Sequence, residues 1–235
     1  MKLSSRDLAI IDRACRYRIL VVEVVTRHFF SNGSPEAARS VLRRLERAGF
    51  LSRHRFLRRE PYYQPSQRAL LMSGDLQSKA RPVGAQTLPR LLGVLLFASF
   101  CPTPAVRLRA DELRTLCPEL HAGHPALTGI QDFVRIDGGT VDEITRVVVD
   151  LGGDHRGFAF KLRRTVNEML SERAFQRLRD EHRLTLSLVF SSEAKRDAVR
   201  RLLERHAIPI PLRFVVVSTL FEVLCGSRLA MEEAT

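Results

Sequence analysis

The first residues with types and spacing suited to chemistry lie on one candidate helix that begins after Ser34. Its polar side carries Arg39, Ser40, Arg43 and Arg47, with Arg44 at the flank. The opposite side is an apolar stripe of Ala38, Val41, Leu42, Leu45 and Ala48. A guanidinium group donates in a planar fork that fits phosphate oxygens and the edge of guanine. The pattern predicts a recognition helix that enters a major groove, and the alternative is an arginine face that only contacts solvent.

A second basic group follows directly along the chain. The segment F-L-S-R-H-R-F-L, then R-R-E-P and Y-Y-Q-P, has the residue pattern of a β-hairpin. Its basic residues are Arg53, Arg55, Arg58 and Arg59. Beside the helix, these side chains and Arg44 would contact phosphates or a minor groove and add salt-dependent affinity with little sequence information.

A third group has the residue types of a zinc site. Cys117, His121 and His124, in C-P-E-L-H-A-G-H, would bind zinc only with a fourth ligand from elsewhere. No second Cys or His pair completes a zinc pattern, so we interpret the segment as a loop with two exposed histidines. The sequence also contains neither a G-x-x-x-x-G-K phosphate loop nor a G-x-S-x-G motif. We therefore expect no metal and no cofactor.

The elements that must position the N-terminal arginines can be placed from their end signals. Ser4, followed three residues later by Asp7, predicts the start of a first helix, and a valine-rich second helix ends before S-N-G-S-P. Ser34 begins the third helix, and Gly49 ends it. Helix, helix, turn, basic helix and basic hairpin, in this order, predict a winged helix-turn-helix over residues 1–72.

The remainder of the chain has the pattern of an α/β domain. Gly, Ser, Pro and Gln without apolar periodicity predict a linker over residues 73–87, and a second domain follows over residues 88–235. The expected elements are a helix over 88–100, a strand and short helix over 106–116, a hairpin over 132–150, one helix over 155–181, a strand over 184–190, a helix over 192–206 and a strand over 212–217. The predicted fold is therefore α+β, with a mixed sheet in the second domain.

The charge of the chain favours a polyanionic partner. The net charge is +12, and residues 1–68 contain 15 Lys and Arg against 6 Asp and Glu, whereas the other 167 residues contain 23 and 20. An arginine-rich composition inherited from a GC-rich genome is the alternative explanation. Four dispersed cysteines, no apolar signal segment and no apolar run of about 18 residues predict a cytoplasmic protein without membrane contact.

Three segments carry a resemblance to a known family. S-S-R-D-L-A-I-I-D-R-A-C-R-Y-R, R-S-V-L-R-R-L-E-R-A-G-F and V-V-V-D-L-G-G-D-H-R-G-F-A-F-K-L-R-R together resemble the replication-relaxation family. The resemblance implies a winged helix joined to a restriction-endonuclease-like domain, often without a complete active site. It also implies a protein of plasmids or integrative elements.

The implied nuclease-like domain can be tested against the residues present. Such sites place an acid on one strand and acid-x-Lys on the next, so that two carboxylates hold Mg²⁺ and the lysine positions water. Asp132 and Asp150 match the acids, but Gly152 occupies the lysine position and the nearest candidate is Lys161. We therefore expect no cleavage, and if the domain is active its centre would be Asp132, Asp150 and Lys161.

The expected function is double-stranded DNA binding in the control of transcription or plasmid replication. A homodimer is expected because one winged helix offers a small interface and two half-sites multiply specificity. Two alternatives stay open. One is a Mg²⁺-dependent DNA nuclease or nickase, and the other is a protein-interaction component of a mobile-element or defence system.

Overall fold

The structure, a computed structural model, describes residues 2–30, 33–56, 59–74, 80–121, 123–128, 132–138 and 142–220. The described residues divide into two compact units, the first ending at Ser99 and the second beginning at Phe100. Helices combined with one antiparallel sheet and one mixed sheet make the fold α+β, which confirms the predicted class.

The first unit contains the predicted helices and hairpin together with two short elements that the sequence did not indicate. In chain order the elements are α1 (Ser5–Tyr17), β1 (Leu20–Val21), α2 (Val22–Phe29), α3 (Pro35–Arg47), β2 (Leu51–Phe56), β3 (Arg59–Pro65), α4 (Gln67–Met72) and α5 (Thr87–Phe100). The unpredicted elements are β1 and α4. Strand β1 is only two residues long and opens a valine run that continues as α2, so periodicity alone does not separate them.

The helix ends follow from local hydrogen bonds. At the start of α1, Ser4 Oγ accepts from the Asp7 N–H at 3.2 Å, and the Asp7 carboxylate accepts from the Ser4 N–H at 3.0 Å. At the start of α3, Ser34 Oγ accepts from the Ala37 N–H at 3.2 Å. Helix α3 ends before Gly49, whose φ of 75° suits glycine best. Both predicted helix starts and the predicted stop are confirmed.

The three-stranded sheet ties the hairpin to the start of α2. Its order is β1-β3-β2, and both pairings are antiparallel, with Leu20 opposite Tyr63 and Arg53 opposite Tyr63 on the other side. Tyr62 and Tyr63 on the central strand are buried. The hairpin is therefore anchored in the core through β3, while β2 forms the edge of the sheet.

Helix α5 belongs to the first unit, although the sequence assigned it to the second domain. Its residues from Pro89 to Ser99 are buried with the exception of Arg90, and the Arg13 guanidinium on α1 donates to Ser99 Oγ at 2.9 Å. The division between the units falls after Ser99, beyond the linker predicted over residues 73–87. A helix that is apolar all round must be buried, but its periodicity does not tell which core covers it.

The second unit is built on a five-stranded mixed sheet. Its elements are β4 (Ala105–Arg107), α6 (Ala110–Leu116), α7 (Pro125–Thr128), β5 (Phe133–Ile136), β6 (Glu143–Val149), α8 (His155–Leu170), α9 (Arg173–Asp180), β7 (Leu184–Phe190), α10 (Glu193–Leu203) and β8 (Leu212–Val216). The strand order is β4-β5-β6-β7-β8. The pairings of β4 with β5 and of β5 with β6 are antiparallel, whereas those of β6 with β7 and of β7 with β8 are parallel.

The single helix predicted over residues 155–181 is wrong, because the chain breaks it into α8 and α9. The Ser171 hydroxyl donates to the Glu168 carbonyl at 2.8 Å, and the Gln176 amide donates to the Leu170 carbonyl at 2.8 Å. These side chains satisfy carbonyls that the end of α8 leaves without helical partners. No Gly or Pro marks the break, so the apolar pattern runs through it in the sequence.

Strand β7 is the centre of the second core. All of its residues except Thr185 are buried, and α8, α9 and α10 contribute apolar side chains to the same cluster. A buried polar pair in this region joins the hydroxyls of Thr145 on β6 and Ser187 on β7 at 2.8 Å, so both buried groups are hydrogen-bonded. Among the described helices, none combines the length and the apolar character needed to cross a membrane.

Candidate functional site

The polar side of α3 is exposed as the sequence predicts. Ser40, Arg43 and Arg47 are exposed, while Ala38, Val41, Leu42 and Leu45 on the other side are buried. Arg39 is half-buried and pairs with Glu36 at 2.8 Å. In the described part of the chain no carboxylate pairs with Arg43 or Arg47, so their charges are available to an external anion.

Arg44 has a structural partner. Its guanidinium lies 2.6 Å from Asp7 Oδ1, and the Asp7 side chain is only 1% exposed. Burial opposes ionisation of this carboxyl, but hydrogen bonds from Ser4 and Arg44 together hold the pKa of Asp7 below its ordinary value. Arg44 therefore joins α3 to α1, and its contact with phosphate stays a prediction.

The hairpin presents basic side chains from its edge strand. Arg53 and Arg55 on β2 are exposed, and His54 between them stacks against Tyr62 with 5.2 Å between ring centroids. Burial lowers the pKa of His54, so this ring packs as a neutral group at neutral pH. Of the other predicted residues, Arg58 and the side chain of Arg59 lie outside the described residues.

Hydrogen bonds fix the base of the hairpin to the end of α3. The Phe50 N–H donates to the Leu45 carbonyl at 3.0 Å, and the Ser66 N–H donates to the Phe50 carbonyl at 3.0 Å. The Arg68 guanidinium donates to the Ala48 carbonyl at 3.0 Å and lies 4.3 Å from the centre of the Phe50 ring. The exposed arginines of α3 and β2 therefore stand on two elements whose junction is rigidly bonded.

The second candidate site lies at the carboxyl end of β6. Asp132 precedes β5, which runs antiparallel to β6, and its carbonyl accepts from the Val147 N–H at 2.8 Å. Asp150 follows β6 directly. The topology thus brings both predicted acids to the same end of the sheet, and both side chains are buried.

Lys195, which sequence reasoning did not select, is the partner of Asp150. Its Nζ lies 2.8 Å from Oδ1 and 2.7 Å from Oδ2, and it also donates to the Gly153 carbonyl at 3.0 Å. The Gly152 N–H donates to the same carboxylate at 3.1 Å. Because β6 and β7 are parallel neighbours, the helix that follows β7 begins beside the end of β6. The strand–helix–strand order in the sequence was the signal that could have indicated this arrangement.

Two lysine positions were considered for a nuclease centre, Lys161 and the position that Gly152 occupies. Lys161 is exposed on α8, and Lys195 already occupies the carboxylate of Asp150. At the expected lysine position the chain has left the strand, and Gly152 has a φ of 91°. A side chain there would be strained, so the acid-x-Lys pattern fails through backbone conformation as well as residue type.

The Cys-His segment does not gather a metal site in the described part of the chain. Cys117 is buried, and burial raises the pKa of its thiol to about 11, so the group stays protonated at neutral pH. His124 is half-buried, with its Nδ1 accepting from the Ala126 N–H at 3.1 Å and its Nε2 3.4 Å from Glu172. The prediction of two exposed histidines is right for His121 and wrong for His124. Among the described residues, no group of three or more His, Cys, Asp or Glu side chains is arranged to hold a metal ion.

Comparison with models of protein families, with curated proteins and with solved structures gives no match for this chain.

Proposed function

We propose that this chain binds double-stranded DNA through the exposed side of α3 and the edge strand of the adjoining hairpin. One observation carries the proposal: Arg43 and Arg47 are exposed on a helix whose other side is buried, beside Arg53 and Arg55 on a strand bonded to the end of that helix. Guanidinium groups on α3 suit guanine edges, while those on β2 suit phosphates.

The arrangement is the one expected of a winged helix-turn-helix, in which α3 is the recognition helix and β2 with β3 is the wing. Ser40 also belongs to this DNA-facing side, and Arg39 joins it with part of its charge already balanced by Glu36. The concentration of excess positive charge in residues 1–68 supports the same assignment. We infer that two copies act together, because one helix and one wing bury little surface and two half-sites multiply specificity.

The role that fits these properties is transcriptional or plasmid-replication control, as the resemblance to the replication-relaxation family implies. For the second unit we propose a nuclease-like domain without cleavage. The mixed sheet and the two buried acids at the same end of that sheet support the likeness to nucleases. The positive φ of Gly152, at the position where the motif has lysine, supports the loss of cleavage.

The test is selection of bound duplexes from a random pool at two salt concentrations, with sequencing of the bound fraction. We expect an enriched palindrome whose half-sites lie about one helical turn apart. The double variant R43A/R47A should weaken binding and lose the enrichment. Replacing Arg53 and Arg55 with alanine should weaken binding to all sequences alike and reduce the salt slope by about 1 per arginine.

The matched control is R114A/R205A, which removes the same two charges from exposed positions on the second unit. Its affinity should stay close to that of the unchanged chain. An equal loss in both double variants would reduce the proposal to general charge attraction. Absence of binding at low salt would overturn it and favour a protein-interaction role. Nicking of supercoiled plasmid that needs Mg²⁺ and disappears in Asp150→Ala would overturn the inactive assignment.

A further inference from the structure

Helix α8 exposes an aromatic ring in the middle of a basic face. Phe160 is 73% exposed, whereas Phe158 on the same helix packs against Phe190 with 5.6 Å between ring centroids. The buried side of the helix is formed by Ala159, Leu162, Val166 and Met169. Phe160 therefore points away from the core of its own unit. Among the large apolar side chains that the structure describes, it is the most exposed.

The side chains around Phe160 are arginines at the spacing that shares one helix face. Arg156 precedes it by four residues, and Arg163 and Arg164 follow it by three and four. Asn167, one turn further on, is exposed on the same face. Since α8 rises about 1.5 Å per residue, the face from Arg156 to Asn167 is about 16 Å long. We call these five residues, Arg156, Phe160, Arg163, Arg164 and Asn167, the α8 face.

The charge of this helix is unbalanced and outward-facing. Between His155 and Leu170 the helix contains four basic residues, Lys161 at the edge of the face included, against one acidic residue. That acid, Glu168, pairs with Arg164 at 2.7 Å. Among the residues that the structure describes, no carboxylate side chain forms an ion pair with Arg156, Arg163 or Lys161. The excess of +3 on this helix equals the whole excess of residues 69–235.

We propose that the α8 face is a second nucleic-acid site that binds single-stranded DNA, with Phe160 stacking on an unpaired base and the arginines contacting the phosphates on both sides. An exposed ring among cations matches the two properties of a single strand, which are an accessible base face and a regular row of negative charge. A protein partner could cover the ring, but it would need matching acids along the whole face.

The cost of opening a base step favours the single strand over the duplex. In a duplex the base faces are stacked, and inserting a side chain costs a few kcal/mol for each step that is opened. In a single strand the ring reaches a base face without that cost, and the stacking contact is kept in full. The site therefore prefers a single strand to a duplex of the same sequence. It lies in a different unit from the proposed duplex site and does not depend on it.

The experiment uses the full chain and a short fluorescein-labelled oligothymidylate, with binding followed by anisotropy. Phe160→Ala should weaken binding by about 5- to 150-fold, the range that follows from 1–3 kcal/mol for one stacked base. Phe160→Trp should keep the affinity. Because the chain contains no tryptophan, the emission of this variant reports on the site alone and should be quenched when the oligonucleotide saturates it.

One control and one double variant separate stacking from general effects. Leu71→Ala removes another exposed apolar side chain and should leave single-strand binding unchanged. Arg156→Ala with Arg163→Ala should weaken binding and reduce the salt slope by about 0.7 per arginine, the value for single strands. Circular dichroism of each variant checks that the fold is retained, which the exposure of Phe160 leads us to expect.

Three results of the binding and emission measurements would overturn the proposal. The first is an unchanged single-strand affinity in Phe160→Ala, and the second is tryptophan emission that stays unquenched in Phe160→Trp at saturation. The third is a loss of affinity in Phe160→Ala that is larger for duplex than for single-stranded DNA. A dimer that becomes a monomer in Phe160→Ala, by sedimentation, would also overturn it, since the ring would then be an interface between copies. Loss of duplex binding in R43A/R47A with single-strand binding intact would leave this site standing by itself.

Discussion

Replacing Arg44 with alanine should destabilise the first unit by about 2 kcal/mol. The substitution removes the 2.6 Å charged hydrogen bond to Asp7 and leaves Oδ1 of a carboxylate that is 1% exposed without that donor. A hydrogen bond to a charged group contributes about 1.5–3 kcal/mol, and solvent screening of Arg44, which is 38% exposed, places the loss toward the lower part of this range. For a unit of this size the melting temperature should fall by roughly 10 °C.

The chain supplies a selective probe for this measurement. It contains no tryptophan, and its three tyrosines, Tyr17, Tyr62 and Tyr63, are all buried in the first unit. Tyrosine emission during urea unfolding therefore follows that unit alone. The matched control is Arg39→Ala, which removes the same residue type from the same helix and breaks an exposed pair with Glu36, and it should change stability by no more than about 0.5 kcal/mol.

A loss of stability in Arg44→Ala no greater than that in Arg39→Ala would contradict this prediction. The pair of Arg44 with Asp7 also predicts an effect on binding. At a temperature where both proteins are folded, Arg44→Ala should weaken duplex binding less than Arg43→Ala, because the Arg44 guanidinium is held by Asp7 whereas Arg43 is exposed. A greater loss of affinity in Arg44→Ala would return Arg44 to the phosphate-binding set.

Two further predictions concern the other buried carboxylate and the response to acid. Lys195→Ala should destabilise the second unit by about 3 kcal/mol, because Asp150 is 0% exposed and would lose its charged partner, whereas Lys161→Ala at an exposed position should be nearly neutral. Amide hydrogen exchange in β6 and α10 measures this, and equal protection in the two variants would contradict it. Since the pKa of Asp7 is lowered by folding, its contribution is complete above the unfolded value of about 3.9 and is lost as the pH falls through the folded value. The tyrosine-monitored free energy of unfolding should therefore fall less steeply with acid in Asp7→Asn than in the unchanged chain, and identical slopes would exclude this role.

The sequence predicts those elements whose ends are fixed by neighbours along the chain. Ser4 with Asp7, Ser34 and Gly49 place α1 and α3 correctly because caps act within a few residues. The hairpin and the order of the strands in the second unit follow from apolar periodicity, which acts over a similarly short range.

The features that could not be predicted from the sequence depend on contacts between residues far apart in the chain. Arg44 and Asp7 are 37 residues apart in the sequence, and Lys195 and Asp150 are 45 apart. No pattern of neighbouring residues therefore predicts either pair. At the break between α8 and α9 the Ser171 hydroxyl donates to the Glu168 carbonyl. The spacing of apolar residues does not reveal this hydrogen bond. For this reason the sequence did not indicate that Arg44 pairs with Asp7, or that Lys195 is the partner of Asp150.

The bonding around Asp150 bears on how such a domain can change over generations. A mutation that put lysine at position 152 would meet a left-handed backbone with a φ of 91°, and the carboxylate it was meant to serve would still be held by Lys195. A mutation that removed Lys195 first would leave a buried charge and weaken the fold before any benefit arose. Each single substitution is therefore disfavoured by itself, because the backbone at Gly152 opposes the first and the burial of Asp150 opposes the second.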